Sequence, residues 1–182
     1  MRLLFVDTET GGINPEMDAL LEVALVVYED EKELASRVWK IKTGNKCCCQ
    51  PALNVNHIDI ERHNSMAKDR EVAAKEIVAF IKQWFPSGPA ILAGHNTSFD
   101  AEFIRILITE NTDENYQLLI SYRMLDTASI LTFFAINGRL PEDALSLGGA
   151  FKYFGIKVKG RHTALGDVEG TISLFDNLSE LL

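Results

Sequence analysis

The chain has 182 residues, of which 47% are hydrophobic and 24% charged, and its formal net charge is −8. No apolar run approaches the roughly 18 residues that a membrane span requires, and the acids at positions 7 and 9 break any signal-peptide pattern. The net charge argues against a broad basic face that would bind duplex nucleic acid, although it leaves room for local basic patches. We therefore expect a single domain over residues 1–182 in the cytoplasm, with no membrane partner.

The three cysteines are contiguous, at Cys47, Cys48 and Cys49. Neighbouring cysteines bridge each other poorly, so this arrangement argues against a disulfide framework and against a zinc site. Free thiols are the expected state, and they agree with a reducing compartment.

The first half of the chain predicts an antiparallel meander. Residues 3–6 form a continuous apolar run that is typical of a strand buried on both faces. A second strand is predicted over residues 19–28 and a third over residues 34–42, with a polar turn between them. The short connections favour antiparallel pairing. Residues 43–64 contain Gly44 and Pro51 as breakers and are expected to be irregular.

The second half predicts helices that alternate with short strands. Apolar residues at helical spacing indicate a helix over residues 66–85. A strand over residues 89–94 is followed by a helix that begins near Asn96 and extends to about residue 109. Further elements are predicted over residues 122–125 (strand), 126–136 (helix, capped by Asp126), 143–154 (helix) and 165–181 (helix). This order predicts an α/β fold with a mixed central sheet, three antiparallel strands plus short parallel strands, flanked by helices.

Two carboxylates close the first predicted strand. Asp7 and Glu9 are separated by one residue, so on a strand their side chains point to the same face. Adjacent carboxylates repel each other and resist burial, and a solvated strand end is the alternative interpretation. Asp100 lies in the first turn of a predicted helix, where the helix dipole alone would explain it. His162 and Asp167 lie near the start of the last predicted helix.

Together and in this order, these residues resemble the DnaQ-like 3′–5′ exonucleases of the DEDD superfamily, in the subgroup with a histidine in the last motif (DEDDh). The three motifs match residues 7–10 (Asp-Thr-Glu-Thr), residues 95–100 (His-Asn-Thr-Ser-Phe-Asp) and residues 162–167 (His-Thr-Ala-Leu-Gly-Asp). The resemblance covers nearly the whole chain. One departure is visible: the family often has two threonines and one glycine after the glutamate, where this chain has Thr10, Gly11 and Gly12.

The resemblance implies a ribonuclease H-like fold and the release of nucleoside 5′-monophosphates from 3′ ends. It implies two divalent ions, Mg²⁺ or Mn²⁺, with Asp7 bridging both. Glu9 and Asp167 would complete the nucleophile-side metal site, and Asp100 would assist the other. His162 would take the proton from the attacking water, a role that suits histidine because its side chain titrates near neutral pH.

Charge and ligand chemistry support such a metal site. Four carboxylates in one cleft carry a charge of about −4, which two divalent cations would neutralise. Carboxylate oxygens suit magnesium or manganese far better than a metal that prefers thiolates. Two such ions about 3.5–4 Å apart can activate a water and stabilise a leaving 3′ oxygen.

The resemblance also indicates substrate-binding residues. Thr10 and Ile13 match positions that contact the 3′-terminal nucleotide, and Asn56 resembles a residue that lines the terminal base. Phe99 is a candidate for the same surface, although packing in the core is favoured for it.

Two basic residues are candidates for contact with the substrate, whereas the remaining histidines are expected to have ordinary structural roles. Lys159 or Arg161, in a basic run near the C-terminus, would help to hold the substrate backbone, with a solvated face as the alternative. The other histidines are expected to be structural or exposed: His57, His63 and His95.

We therefore expect an exonuclease that acts on single-stranded 3′ ends, because an acidic protein with few basic contacts suits single strands better than duplex. DNA is favoured as the substrate, and trimming of RNA is the alternative. A proofreading role beside a polymerase also agrees with the resemblance. A noncatalytic binding or scaffold domain is the alternative from another class, but it predicts the loss of one or more ligands, and all four acids and the histidine are present.

Overall fold

The structure, a computed structural model, describes residues 1–181 and is built around one five-stranded mixed sheet. Its strands are β1 (Leu3–Thr10), β2 (Leu20–Glu29), β3 (Lys32–Lys40), β4 (Ala90–Gly94) and β5 (Ile120–Asp126). The spatial order is β3-β2-β1-β4-β5. The first three strands pair antiparallel, whereas β4 and β5 join in parallel. The predicted meander and mixed sheet are confirmed.

Helices flank this sheet. The longer ones are α3 (Arg70–Trp84), α4 (Thr97–Asn111), α6 (Thr127–Ile136), α7 (Leu147–Phe154) and α8 (Ala164–Ser179), and the shorter ones are α1 (Gln50–Asn56), α2 (Ile60–Met66) and α5 (Tyr116–Leu119). Within residues 1–181, none of these helices combines the length and apolarity that a bilayer crossing needs.

The alternation of side chains along β1 divides the hydrophobic core into two layers. Leu4 and Val6 pack in a cluster with α3 and α4, whereas Leu3 and Phe5 pack on the opposite face with α8. Because both faces are buried, a slip of one residue would move every side chain of β1 into the wrong layer. The register therefore dictates which way the polar residues at the end of β1 point.

The expectation of irregular structure over residues 43–64 is wrong, because two short helices lie there. Pro51 sits in the first turn of α1, where the N–H that proline lacks has no helical partner in any case. Asp59 caps α2 by accepting a hydrogen bond from the Arg62 backbone N–H. A residue interpreted as a breaker therefore marks the start of a helix.

The predicted helix over residues 143–154 is wrong in its first turn. Residues Glu142–Ala144 form a separate 3₁₀ turn, and α7 begins only at Leu147. Ser146 sets this start, because its side chain accepts a hydrogen bond from the Gly149 N–H. The short helix α5 was not predicted.

Candidate active site

Three carboxylates from two distant parts of the chain converge at the end of β1. Asp7, Glu9 and Asp167 offer ligand oxygens that all lie within 4.8 Å of one another. Asp7 and Glu9 continue the face of β1 on which α8 packs, and Asp167 lies in the first turn of α8. The packing of α8 on this face of β1 thus brings the three carboxylates together, and Asp167 is buried among them.

Asp100 approaches from the other side of the sheet. It lies in the first turn of α4, which follows β4, and β4 runs parallel to β1 so that the carboxyl ends of both strands meet. Asp100 is buried, and its Oδ1 accepts a 2.7 Å hydrogen bond from the Thr8 hydroxyl. Thr8 was not predicted as a site residue. Its position between Asp7 and Glu9 points it to the α4 face, which is the signal that could have identified it.

Burial among like charges shifts the pKa values of the cluster upward. Burial raises the pKa of Asp7 well above its ordinary value, and the charges of Asp100, Asp167 and Glu9 add to this rise. Burial and then the Asp167 charge raise the pKa of Glu9 to about 7. Burial also raises the pKa of Asp100 to about 7. Carboxylates that resist ionisation in this way are suited to a site that receives cations.

Arg161 lies within the carboxylate cluster. Its Nη1 donates to Asp167 Oδ1 in an ion pair, and its guanidinium carbon lies 5.2 Å from the centroid of the Phe151 ring. Burial dominates the pKa values of Asp7 and Glu9, and the Arg161 charge opposes their rise. Of the two predicted basic contacts, Arg161 therefore lies in the site, whereas Lys159 is exposed.

Glu22 is a buried acid that the sequence interpretation missed. It lies opposite Glu9 in the register of β1 and β2 and is only 8% exposed. Its Oε1 accepts a hydrogen bond of 3.2 Å from the N–H of Ala164, the first residue of α8. A carboxylate at a helix N-terminus interacts favourably with the helix dipole. Glu22 thus anchors the helix that carries Asp167; the signal for it was a single acid inside a strand that is otherwise apolar.

His162 lies at the rim of the site, in the loop that precedes α8. Its side chain is exposed and its backbone adopts a left-handed conformation with φ of 63°. The centroid of its ring lies 6.3 Å from that of His57, which is also exposed. A left-handed backbone costs a residue other than glycine about 1 kcal/mol, so the surrounding loop must hold it in place.

The expectation that the remaining histidines are structural or exposed is confirmed. His63 is buried, with Nε2 2.9 Å from the carbonyl oxygen of Ile41. His95 Nδ1 lies 3.1 Å from the Thr127 hydroxyl, and burial lowers the pKa of this imidazole.

The profile of the RNase_T exonuclease family matches residues 4–175. This chain belongs to that exonuclease family. The predicted resemblance to DnaQ-like 3′–5′ exonucleases and the predicted enzyme class, a hydrolase that acts as an exonuclease, are thereby confirmed.

Relatives and solved structures agree with this family. The oligoribonuclease of Baumannia cicadellinicola subsp. Homalodisca coagulata is 25% identical over 190 residues, covering 94% of this chain and 88% of the relative. Exonuclease I from Methylocaldum szegediense superposes with a TM-score of 0.83 at 21% identity, covering 98% of this chain and 40% of that one. E. coli exonuclease I in complex with a dT13 oligonucleotide superposes with a TM-score of 0.79 at 20% identity. The superposition covers 98% of this chain and 41% of that chain. This chain spans about two fifths of these two exonuclease I chains, and the likeness confirms the predicted ribonuclease H-like fold.

Two of the predicted substrate-binding residues, Thr10 and Asn56, form hydrogen bonds within the protein, whereas Ile13 is exposed to solvent. The Thr10 hydroxyl donates to Gly12 O at 2.6 Å, so it stabilises the turn that follows β1. Asn56 is buried, and its Nδ2 donates to Thr10 O at 3.1 Å, which fixes α1 against the end of β1. Ile13 is 86% exposed on the same turn. Asn56 therefore stabilises the packing of α1 against β1, and Ile13 remains accessible to solvent.

Phe99 is the one candidate for which core packing was favoured, and that expectation is wrong. Its side chain is 36% exposed, and it contacts Phe103 with ring centroids 5.0 Å apart. Phe99 directly precedes Asp100 in the first turn of α4, and part of its ring is accessible to solvent.

Gly166 lets the loop that carries Arg161 and His162 lie close against α8. A Cβ at this position would lie 2.3 Å from Gly160 O and 2.6 Å from Lys159 O. Both oxygens belong to the backbone immediately before Arg161 and His162. A shift of the loop that made room for a Cβ would therefore move these two residues.

Replacing Gly166 with alanine is expected to lower the turnover of the exonuclease at least tenfold and the free energy of unfolding by about 2 kcal/mol, because the loop must shift. The matched control is Gly148→Ala in α7, where the nearest atom to a new Cβ is Arg161 Nη2 at an ordinary 3.9 Å. That helix position should gain stability from alanine. Turnover and chemical unfolding of both variants test this, and equal turnover would contradict the role of Gly166.

Proposed function

We propose that this exonuclease hydrolyses the 3′-terminal phosphodiester bond of single-stranded nucleic acid and releases nucleoside 5′-monophosphates. The observation that carries the proposal is the convergence of Asp7, Glu9 and Asp167 within 4.8 Å, with the buried Asp100 beside them. Ordinary surface acids do not cluster in this way inside a fold, because burial and mutual repulsion both oppose it.

The residues of the cluster fit magnesium or manganese. Their ligand atoms are carboxylate oxygens, which these hard cations prefer. Burial raises the pKa values of Asp7, Glu9 and Asp100, and neighbouring carboxylates add to the rise for Asp7 and Glu9. A bound pair of divalent cations would supply an activated water and stabilise the charge that develops on the leaving 3′ oxygen. All four acids, Asp167 included, are the proposed ligands.

The protein's own residues supply the proton transfer and the positioning. His162 is the proposed general base, because an exposed imidazole at the rim can take the proton of the attacking water and return it to solvent. The Thr8 hydroxyl orients the Asp100 carboxylate, and Glu22 holds the N-terminus of α8. Both contacts fix ligand positions before substrate arrives.

The exposed apolar side chains beside the acids are proposed to receive the terminal nucleotides. Phe99 offers an aromatic ring on which a base can stack without regard to sequence, and Ile13 offers apolar surface for van der Waals contact. Thr10 and Asn56 are proposed to form the adjoining wall through their contacts at the end of β1. The net charge of −8 favours single strands, whose ends can reach the site without a broad basic surface.

Two observations differ on whether the substrate contains deoxyribose or ribose. A solved exonuclease I with a similar fold holds a dT13 oligonucleotide, which supports single-stranded DNA as the substrate. A relative that matches this chain over 88% of its own length is named oligoribonuclease, which supports short RNA as the second candidate. A protein distinguishes the two at the 2′-hydroxyl of the bound nucleotide.

A digestion time course tests the proposal. Single strands of DNA and RNA with one sequence and a 5′ label should shorten stepwise from the 3′ end in the presence of Mg²⁺ or Mn²⁺, and the ratio of the two rates identifies the preferred sugar. A circular single strand is the matched control, because an exonuclease has no end to attack in it. Cleavage of the circle, or undiminished shortening in excess chelator, would contradict the proposal.

A further inference from the structure

The carboxylate cluster of this exonuclease already contains a cation of its own. Among the described residues, the ion pair between Arg161 and Asp167 is the one that reaches any of the four proposed ligands. Asp167 is only 6% exposed, so its charge is largely removed from water and needs a partner.

The position of Arg161 is set by more than this ion pair. Its guanidinium lies 5.2 Å from the Phe151 ring centroid, a distance at which a cation is attracted to the ring face. The backbone on either side is left-handed, with φ of 74° at Gly160 and 63° at His162. The loop is thus shaped to direct the side chain of Arg161 back into the acidic cluster.

We propose that Arg161 is an internal counter-cation, which compensates the cluster before metal binds and competes with the metal for Asp167. This inference rests on the proposed function, because it takes the carboxylates as a divalent-cation site. The guanidinium donates to Asp167 Oδ1, an oxygen that a metal ligand must present to the ion. Two cations at one carboxylate also repel each other, so occupation by one weakens the other.

The competition links metal binding to substrate binding. Once Asp167 is taken by metal, the planar guanidinium keeps its contact surface on Phe151 and becomes available to another anion. Its fork of N–H donors matches phosphate oxygens in pairs. Arg161 therefore serves the substrate backbone only in the enzyme that is loaded with metal.

Calorimetric titration of Mn²⁺ without nucleic acid tests the competition. Arg161→Gln removes the competing cation and should bind Mn²⁺ about tenfold more tightly than the control Lys157→Gln. The control removes the same charge from the same loop, and Lys157 is exposed. Arg161→Lys keeps the charge but loses the planar fork, so its affinity should fall between those of Arg161→Gln and the wild type.

Thermal unfolding in chelator provides a readout that needs no metal. Arg161→Gln should melt at a lower temperature than Lys157→Gln, because the buried Asp167 loses its partner. Equal Mn²⁺ affinities for the two variants, or equal melting temperatures in chelator, would overturn the inference and leave the proposed function standing. A wild-type protein that takes up no Mn²⁺ would overturn the proposed function and, with it, the competition between Arg161 and metal.

Discussion

Replacing Asp7 with asparagine is expected to lower the turnover of the exonuclease by about a thousandfold while the fold is retained. The charges of Asp100, Asp167 and Glu9 all act on Asp7, which places it among the other three proposed ligands. Loss of a central ligand removes several kcal/mol of transition-state stabilisation, and about 4 kcal/mol corresponds to a thousandfold in rate. Asparagine has nearly the same shape as aspartate, so packing at the end of β1 should survive.

Turnover on a labelled single strand, measured at saturating metal, tests this expectation. The control is Asp113→Asn, which makes the same chemical change at an exposed acid that lies outside the cluster. The control should keep the wild-type rate. If Asp7→Asn retained more than about a tenth of wild-type turnover, Asp7 could not be a central ligand of the site.

The parts of the fold that sequence predicts well are those in which one local pattern decides the outcome. Strand β2 is apolar along nearly its whole length, and its short connections to β1 and β3 leave antiparallel pairing as the simple solution. Helices α1 and α2 were missed because Gly44 and Pro51 suggest breaks. Proline at the start of a helix is compatible with it, and only the neighbouring structure shows which role applies.

The same distinction applies to the site. Asp7, Glu9, Asp100 and Asp167 were identified because they stand in recognisable motifs along the chain. The supporting roles of Thr8, Glu22 and Arg161 could not be read in the same way, because each depends on a contact with a segment that is distant in sequence or on the packing of a loop. Thr8 lies inside the first motif and Arg161 was noted for its charge, but their contacts with Asp100 and Asp167 appear only in the folded chain. Glu22 meets Glu9 only through the register of β1 with β2 and reaches Ala164 only because α8 packs on that face. Such roles become visible when the sheet is assembled.

Burial of these carboxylates should destabilise the protein that lacks metal, and Asp100 provides a direct measure. Its folded-state pKa of about 7 lies above the ordinary value of 3.8, so the folded protein keeps a proton that the unfolded chain releases. The stability contributed by that proton is fully present below about pH 4 and is lost as the pH rises through about 7. The free energy of unfolding of the metal-free protein should therefore fall across this window.

Asp100→Asn is expected to unfold with a free energy about 2–4 kcal/mol higher than that of the wild type at about pH 8 in chelator, and with nearly the same value at about pH 4. Asparagine does not ionise, and its Oδ1 can still accept the hydrogen bond from the Thr8 hydroxyl. Chemical denaturation at both pH values measures the difference, with Asp113→Asn as the exposed control. Added Mn²⁺ should stabilise the wild type more than the variant, because binding energy adds to the stability of the folded state. If Asp100→Asn were no more stable than the wild type at the higher pH, the carboxylate would already be compensated, and the electrostatic demand for divalent cations at this site would disappear.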